Sequence, residues 1–124
     1  MTAIRSFEDI EAWKESREIT RKIYDLTKRK AFAKDFGLRG QICRAAVSIM
    51  SNIAEGYESQ THAVFIRHLS IAKGSAGELR SQLYVALDQD YISRPEFDML
   101  CDHVCKIASQ LSRLRTYLKK TVER

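Results

Sequence analysis

One proline and five glycines are all that punctuate 124 residues, so the chain has few places for tight turns. A β-sandwich or barrel needs many of them, whereas long helices joined by short connections do not. The three cysteines, Cys43, Cys101 and Cys105, are an odd number, which argues against a disulfide framework. No apolar run approaches the roughly 20 residues needed to span a bilayer. The opening MTAIRSFEDIEAW lacks the hydrophobic centre of a signal peptide. Together these absences predict a cytoplasmic protein with no membrane partner.

Chemistry-bearing patterns are scarce too. Cys101 and Cys105 share a helical face, but His103 lies roughly 160 to 200° around the helix from each. No metal site is expected there, and the cysteines read as small buried hydrophobes. No Glu-x-x-His pair of the kind that builds di-iron bundles occurs. No catalytic residue and no cofactor is expected. What is present is 44% hydrophobic and 30% charged residues, ordinary for a globular domain, at a length that suits one domain over residues 1–124.

The remaining pattern centres on Gly37–Ser59, GLRGQICRAAVSIMSNIAEGYES. Leu38, Ile42, Ala45, Ile49 and Ile53 form one apolar row, and Cys43, Val47, Met50, Ala54 and Tyr57 a second. A polar stripe of Gln41, Arg44, Ser48, Asn52 and Glu55 runs between them. Two apolar rows predict a central helix with almost nothing to show to water, whose stripe is satisfied internally.

Three more helices surround it. The first spans about 9–29 and buries Ala12, Ser16, Ile19, Ile23 and Leu26, with Lys28, Arg29 and Lys30 at its negative end. That cluster is routine helix chemistry and also suits phosphate contact. After a connection at 30–37 comes the central helix, about 37–57. The third, about 62–88, carries a heptad seam of Phe65, Leu69, Ala72, Ala76, Leu79, Leu83 and Ala86, with Thr61 as N-cap. Gly74 and Gly77 inside it are expected to admit the central helix closely, bringing Lys73, Ser75 and Glu78 to the stripe as a structural polar network. The fourth, about 94–121, opens with the capping box Ser93-Arg94-Pro95-Glu96 and keeps the heptad Phe97, Leu100, Val104, Ile107, Leu111, Leu114, Leu118. Four helices on short connections predict an all-α, antiparallel up-down-up-down bundle. Trp13, Tyr24, Ile71 and Tyr84 fall outside the seams, and this apolar excess predicts an oligomer.

The stripe does not read as catalytic. A serine nucleophile needs a base, and the central helix has no histidine; an acid–base pair for Glu55 has only Glu78 on the facing helix. Charge is more informative. Of a net charge of +5, residues 1–34 hold nine Lys or Arg against six acids and residues 93–124 seven against four, with the stretch between nearly balanced. Candidate nucleic-acid contacts are Lys14, Arg17, Arg21 and Lys22 on the first helix, and Arg113, Arg115, Lys119 and Lys120, with Arg124 beyond, on the fourth. The rival is an adaptor that binds another protein and uses its charges for solubility.

The run from Leu38 to Leu83 resembles the 23S ribosomal RNA intervening-sequence protein family. The resemblance rests on Gln41, Arg44–Ile49, Ser51–Gly56, Phe65, Leu69, Ile71-Ala72, Gly74-Ser75 and Glu78-Leu79. Phe7, Trp13 and Ile23-Tyr24 extend it towards the N-terminus. The resemblance implies a four-helix bundle in a ring-like homopentamer. It also implies, through a related branch of accessory variability proteins of diversity-generating retroelements, a basic surface that binds RNA or DNA. This chain departs from the family at Met50, where many relatives have proline, and at Tyr57-Glu58-Ser59, where many carry Gly-Arg. At Val64 relatives are often acidic.

Overall fold

The computed structural model describes residues 3–122. Arg124 lies outside the described residues. Among them are five α-helices and no strand: α1 (Glu11–Thr27), α2 (Lys30–Lys34), α3 (Phe36–Glu58), α4 (His62–Asp88) and α5 (Arg94–Val122). A 3₁₀ turn, Phe7–Asp9, precedes α1. It is tied back by Asp9, whose Oδ2 accepts from the amide of Arg5 at 2.9 Å and that of Ser6 at 3.3 Å. Ile10 is extended and buried, so the first helix starts at Glu11 rather than near residue 9. The expected connection at 30–37 contains α2, which plants Phe32 in the core.

α3 packs on α1 and α4, α4 on α5, and α5 back on α1. The buried row of α3, from Leu38 to Ile53, joins the buried faces of α1, α4 and α5 in one continuous core. Every heptad residue of α4 is buried, and so is that of α5 except Leu114, which is half-buried. The second apolar row of α3 departs from expectation. Cys43, Met50, Ala54 and Tyr57 are only half-buried and Val47 is exposed, because α1 covers just one flank of the helix. Gln41, Arg44, Val47, Ser51, Glu55 and Glu58 make an outward stripe at steps of three and four. α3 is thus central in packing, yet one face meets water.

The glycines divide the same way. A Cβ at Gly56 would stand 2.8 Å from His68 Cβ and 2.9 Å from a ring carbon of Phe65, so α3 and α4 touch there through bare backbone. Nothing lies within 4 Å of a Cβ built on Gly74 or Gly77. The expectation that these two admit the central helix is therefore wrong: their hydrogens point away from α3.

Two connections use a non-glycine residue at positive φ, Gln60 after α3 (63°) and Asp90 after α4 (59°). Beyond Asp90, Tyr91 stacks on Phe32 at 4.8 Å and its hydroxyl donates to Asp35 Oδ2 at 2.9 Å, which raises the phenol above its ordinary range. The capping box forms: Ser93 N–H donates to Glu96 Oε1 at 2.8 Å, and Glu96 N–H donates to Ser93 Oγ at 3.2 Å. Arg29, from the end of α1, grips the same carboxylate with both guanidinium nitrogens. Arg29 and the Ser93 amide hold the Glu96 carboxyl down at about 2.

Two outcomes follow. Gly56→Ala should lower stability in urea melts by up to about 2 kcal/mol, the difference between an overpacking cost of about 1–3 kcal/mol and the roughly 1 kcal/mol that alanine gains in a helix. Because folding depresses the Glu96 carboxyl, its contribution is complete above about pH 4.3 and fades as the pH falls towards about 2. Glu96→Gln should flatten the acid limb of a stability-against-pH curve. The effect stays small, since Arg29 is half exposed and water screens the pair.

Candidate functional site

The expected polar network is partly assembled. Ser48 Oγ on α3 lies 2.8 Å from Ser75 Oγ on α4. Asn52 Nδ2 donates to Ser48 O at 2.8 Å and to Ser48 Oγ at 3.1 Å, and Asn52 Oδ1 meets His68 Nδ1 at 3.0 Å. A carbonyl oxygen can only accept, so Nδ1 carries the proton. The sequence reading missed His68, although the clue is there: His68 and Ser75 are seven apart on α4, on the face opposite Ser48 and Asn52. Gln41, Arg44, Glu55, Lys73 and Glu78 are exposed, and among the described residues their side chains make no hydrogen bond or ion pair. They sit on the outward faces of α3 and α4, where water satisfies them.

No base reaches a serine hydroxyl here, because the imidazole contacts the Asn52 amide instead. The arrangement fixes the register of α3 against α4. Asn52→Ala should lower stability by about 1–2 kcal/mol by orphaning part-buried partners. Glu55→Gln should change it by less than about 0.5 kcal/mol, both read in denaturant melts.

A second cluster joins α1 to α5. Glu15 Oε1 receives His103 Nε2 at 2.9 Å and Lys106 Nζ at 3.4 Å. Burial works to raise the Glu15 carboxyl, but His103 and Lys106 together pull it below its ordinary value. Cys43 and Cys101 are half-buried and Cys105 is exposed, against the expectation that all three are buried, because Cys105 falls on the outer face of α5. Burial raises the Cys101 thiol. Among the described residues no three potential ligands group to hold a metal, and no helix is long and apolar enough to cross a membrane.

The eight candidate cations do not form one patch. Lys14 and Arg113 line a common groove between α1 and α5. Lys14 pairs with Glu11 at 3.5 Å and Arg21 with Glu18 at 3.7 Å. Arg115 donates to Ser70 Oγ at 3.0 Å. Lys22 lies beside Arg29 in a second α1–α5 groove that also holds Asp25 and Glu96. Arg17, Lys119 and Lys120 are exposed.

Comparison with known proteins agrees with this helical architecture. A crystal structure of a protein of unknown function from the S23 ribosomal protein family of Bacteroides thetaiotaomicron is similar with a TM-score of 0.78 and 26% identity, over 85% of this chain and 95% of that one. Among curated proteins none matches. The profile of the family described as 23S rRNA-intervening sequence protein matches residues 8–113, the span of α1 to α4 and most of α5. By that match the chain belongs to the 23S rRNA-intervening sequence protein family.

Proposed function

We propose that this chain is a non-enzymatic, cytoplasmic bundle protein that assembles with copies of itself and binds RNA or DNA through the exposed cations of α1 and α5. An antiparallel up-down-up-down order suits the α3–α4 pairs: from Ser48 to Asn52 on α3, the partners on α4 recede from Ser75 to His68. The observation that carries the nucleic-acid reading is a surplus of unpaired cation. Among the described residues Arg17, Lys22, Arg113 and Arg115 have no carboxylate within ion-pair distance, so their charge is available to phosphates. The family's name, which places its members in intervening sequences of 23S rRNA, is consistent with a nucleic-acid partner.

Self-assembly has separate support. Ile71, Gly74, Glu78 and Val85 follow at helical spacing on one exposed face of α4. Helix-interior glycines that face nothing, beside two half-exposed aliphatics, suit the close approach of another backbone. The number five comes from the family resemblance. An adaptor that binds only protein is the rival, favoured by the same apolar face.

Light scattering should give a mass well above one chain. In a lone chain, Gly74→Ala with Gly77→Ala should raise stability by about 1 kcal/mol each, so a fall in mass on this change locates the interface. Titration with labelled RNA and DNA should show affinity that falls steeply as salt rises, and falls again on Arg115→Glu with Lys119→Glu. Absence of binding at low salt would favour the adaptor.

A further inference from the structure

Residues 28–44 hold six Lys or Arg against a single acid, Asp35, and that surplus equals the net charge of the whole chain. Every other position together is balanced. The structure spends little of this charge internally. Among the described residues the close ion pair of this segment is Arg29 with Glu96. Asp35 is engaged on both oxygens, Oδ1 by the Leu38 amide at 3.1 Å and Oδ2 by Tyr91. Lys28 meets Asp25 at 3.6 Å, but both side chains are more than three-quarters exposed, so the pair is worth little.

What this segment builds is a groove of about 520 Å³ between α1 and α3, closed at one end by α2. Tyr24 and Thr27 form the α1 wall with Lys28 just past its end, Arg39, Gly40 and Cys43 form the α3 wall, and Ala33 comes from α2. Among the described residues no carboxylate lines it. Tyr24 is 43% exposed although its ring is large, and Phe36, on the turn of α3 that carries Arg39, is 73% exposed. Arg39 is held in place: its Nη1 donates to Ala33 O at 3.1 Å, and its guanidinium lies 5.2 Å from the Phe36 ring centre. Arg17, Arg21, Tyr24 and Lys28 step by three and four along α1, so the exposed cations of that helix run into the groove.

We propose that this α1–α3 groove binds single-stranded nucleic acid, with Lys28 and Arg39 contacting phosphates and Tyr24 stacking on a base. The proposal rests on the nucleic-acid reading above and gives it a location that the outer faces of α1 and α5 do not. A held guanidinium and a neighbouring lysine beside an exposed ring are elements of a single-strand platform, because every base offers a π face and every linkage a negative charge. A rigid duplex offers no unstacked base to Tyr24, so the groove discriminates against it. The pocket's volume suits a nucleotide-sized unit.

The test compares a short labelled single-stranded RNA with its duplex, titrated at low and physiological salt against the full chain and four variants. Lys28→Gln with Arg39→Gln should weaken single-strand binding about tenfold or more and make the salt slope shallower by about 1.4, roughly 0.7 for each lost phosphate contact. Tyr24→Ala should weaken it about tenfold while Tyr24→Phe keeps it, and neither should change duplex binding. Because Tyr24 is exposed, its truncation leaves the core intact and keeps the test valid if the double variant misfolds. If the chain binds RNA, and Arg115→Glu with Lys119→Glu removes binding while the groove variants do not, the groove assignment is wrong and the nucleic-acid reading stands. Equal binding of duplex and single strand, both indifferent to Tyr24→Ala, would also overturn it. If the unaltered chain binds neither probe at low salt, both readings fall.

Discussion

The distance between α3 and α4 is set at Gly56, where an added methyl group would collide with both His68 and Phe65. That contact lets two long helices meet through backbone at one end of their seam. With the spacing fixed there, Asn52 reaches His68 one turn away and Ser48 reaches Ser75 further along. The aliphatic row from Leu38 to Ile53 is then buried in the shared core. α1 and α5 complete the core by covering what this pair leaves open. Close packing transmits small displacements, so a looser seam at Gly56 would be felt by the polar chain and the core alike.

Much of this was legible in the residues because helices announce themselves through period. The heptads of α4 and α5 and the buried face of α1 come directly from the spacing of aliphatics, and the Ser93–Glu96 box from local capping chemistry. What period cannot supply is which neighbour covers a face. The second row of α3 looked as apolar as the first, yet Val47 is exposed because α1 shields only one flank. Gly74 and Gly77 pointed to a close approach of the central helix, yet the glycine that makes that contact is Gly56 on α3 itself. The candidate site was less legible still. His68 was overlooked because its partner sits on another helix, and the α1–α3 groove gathers residues from three separate helices.

The molecule separates its uses of charge. Pairs such as Arg29–Glu96 and the Glu15 cluster join helices across long sequence separations, each sign consumed by the other. Local pairs along α1 and α5 are exposed and contribute little to stability. The excess is densest where α1 gives way to α2 and α3. A fold that needed those cations only for solubility would gain nothing by crowding them onto one segment, since like charges held together repel.

The seam between α1 and α5 differs in kind from that between α3 and α4. It is the sparser of the two, and it leans on Arg29–Glu96 at one end and on His103, Glu15 and Lys106 further along. Polar links of this sort weaken with added salt or acid, whereas apolar packing around α3 does not. α1 nevertheless buries Ala12, Ile19 and Ile23 in the shared core, so salt or acid can loosen the polar edge of this seam while its apolar floor stays closed.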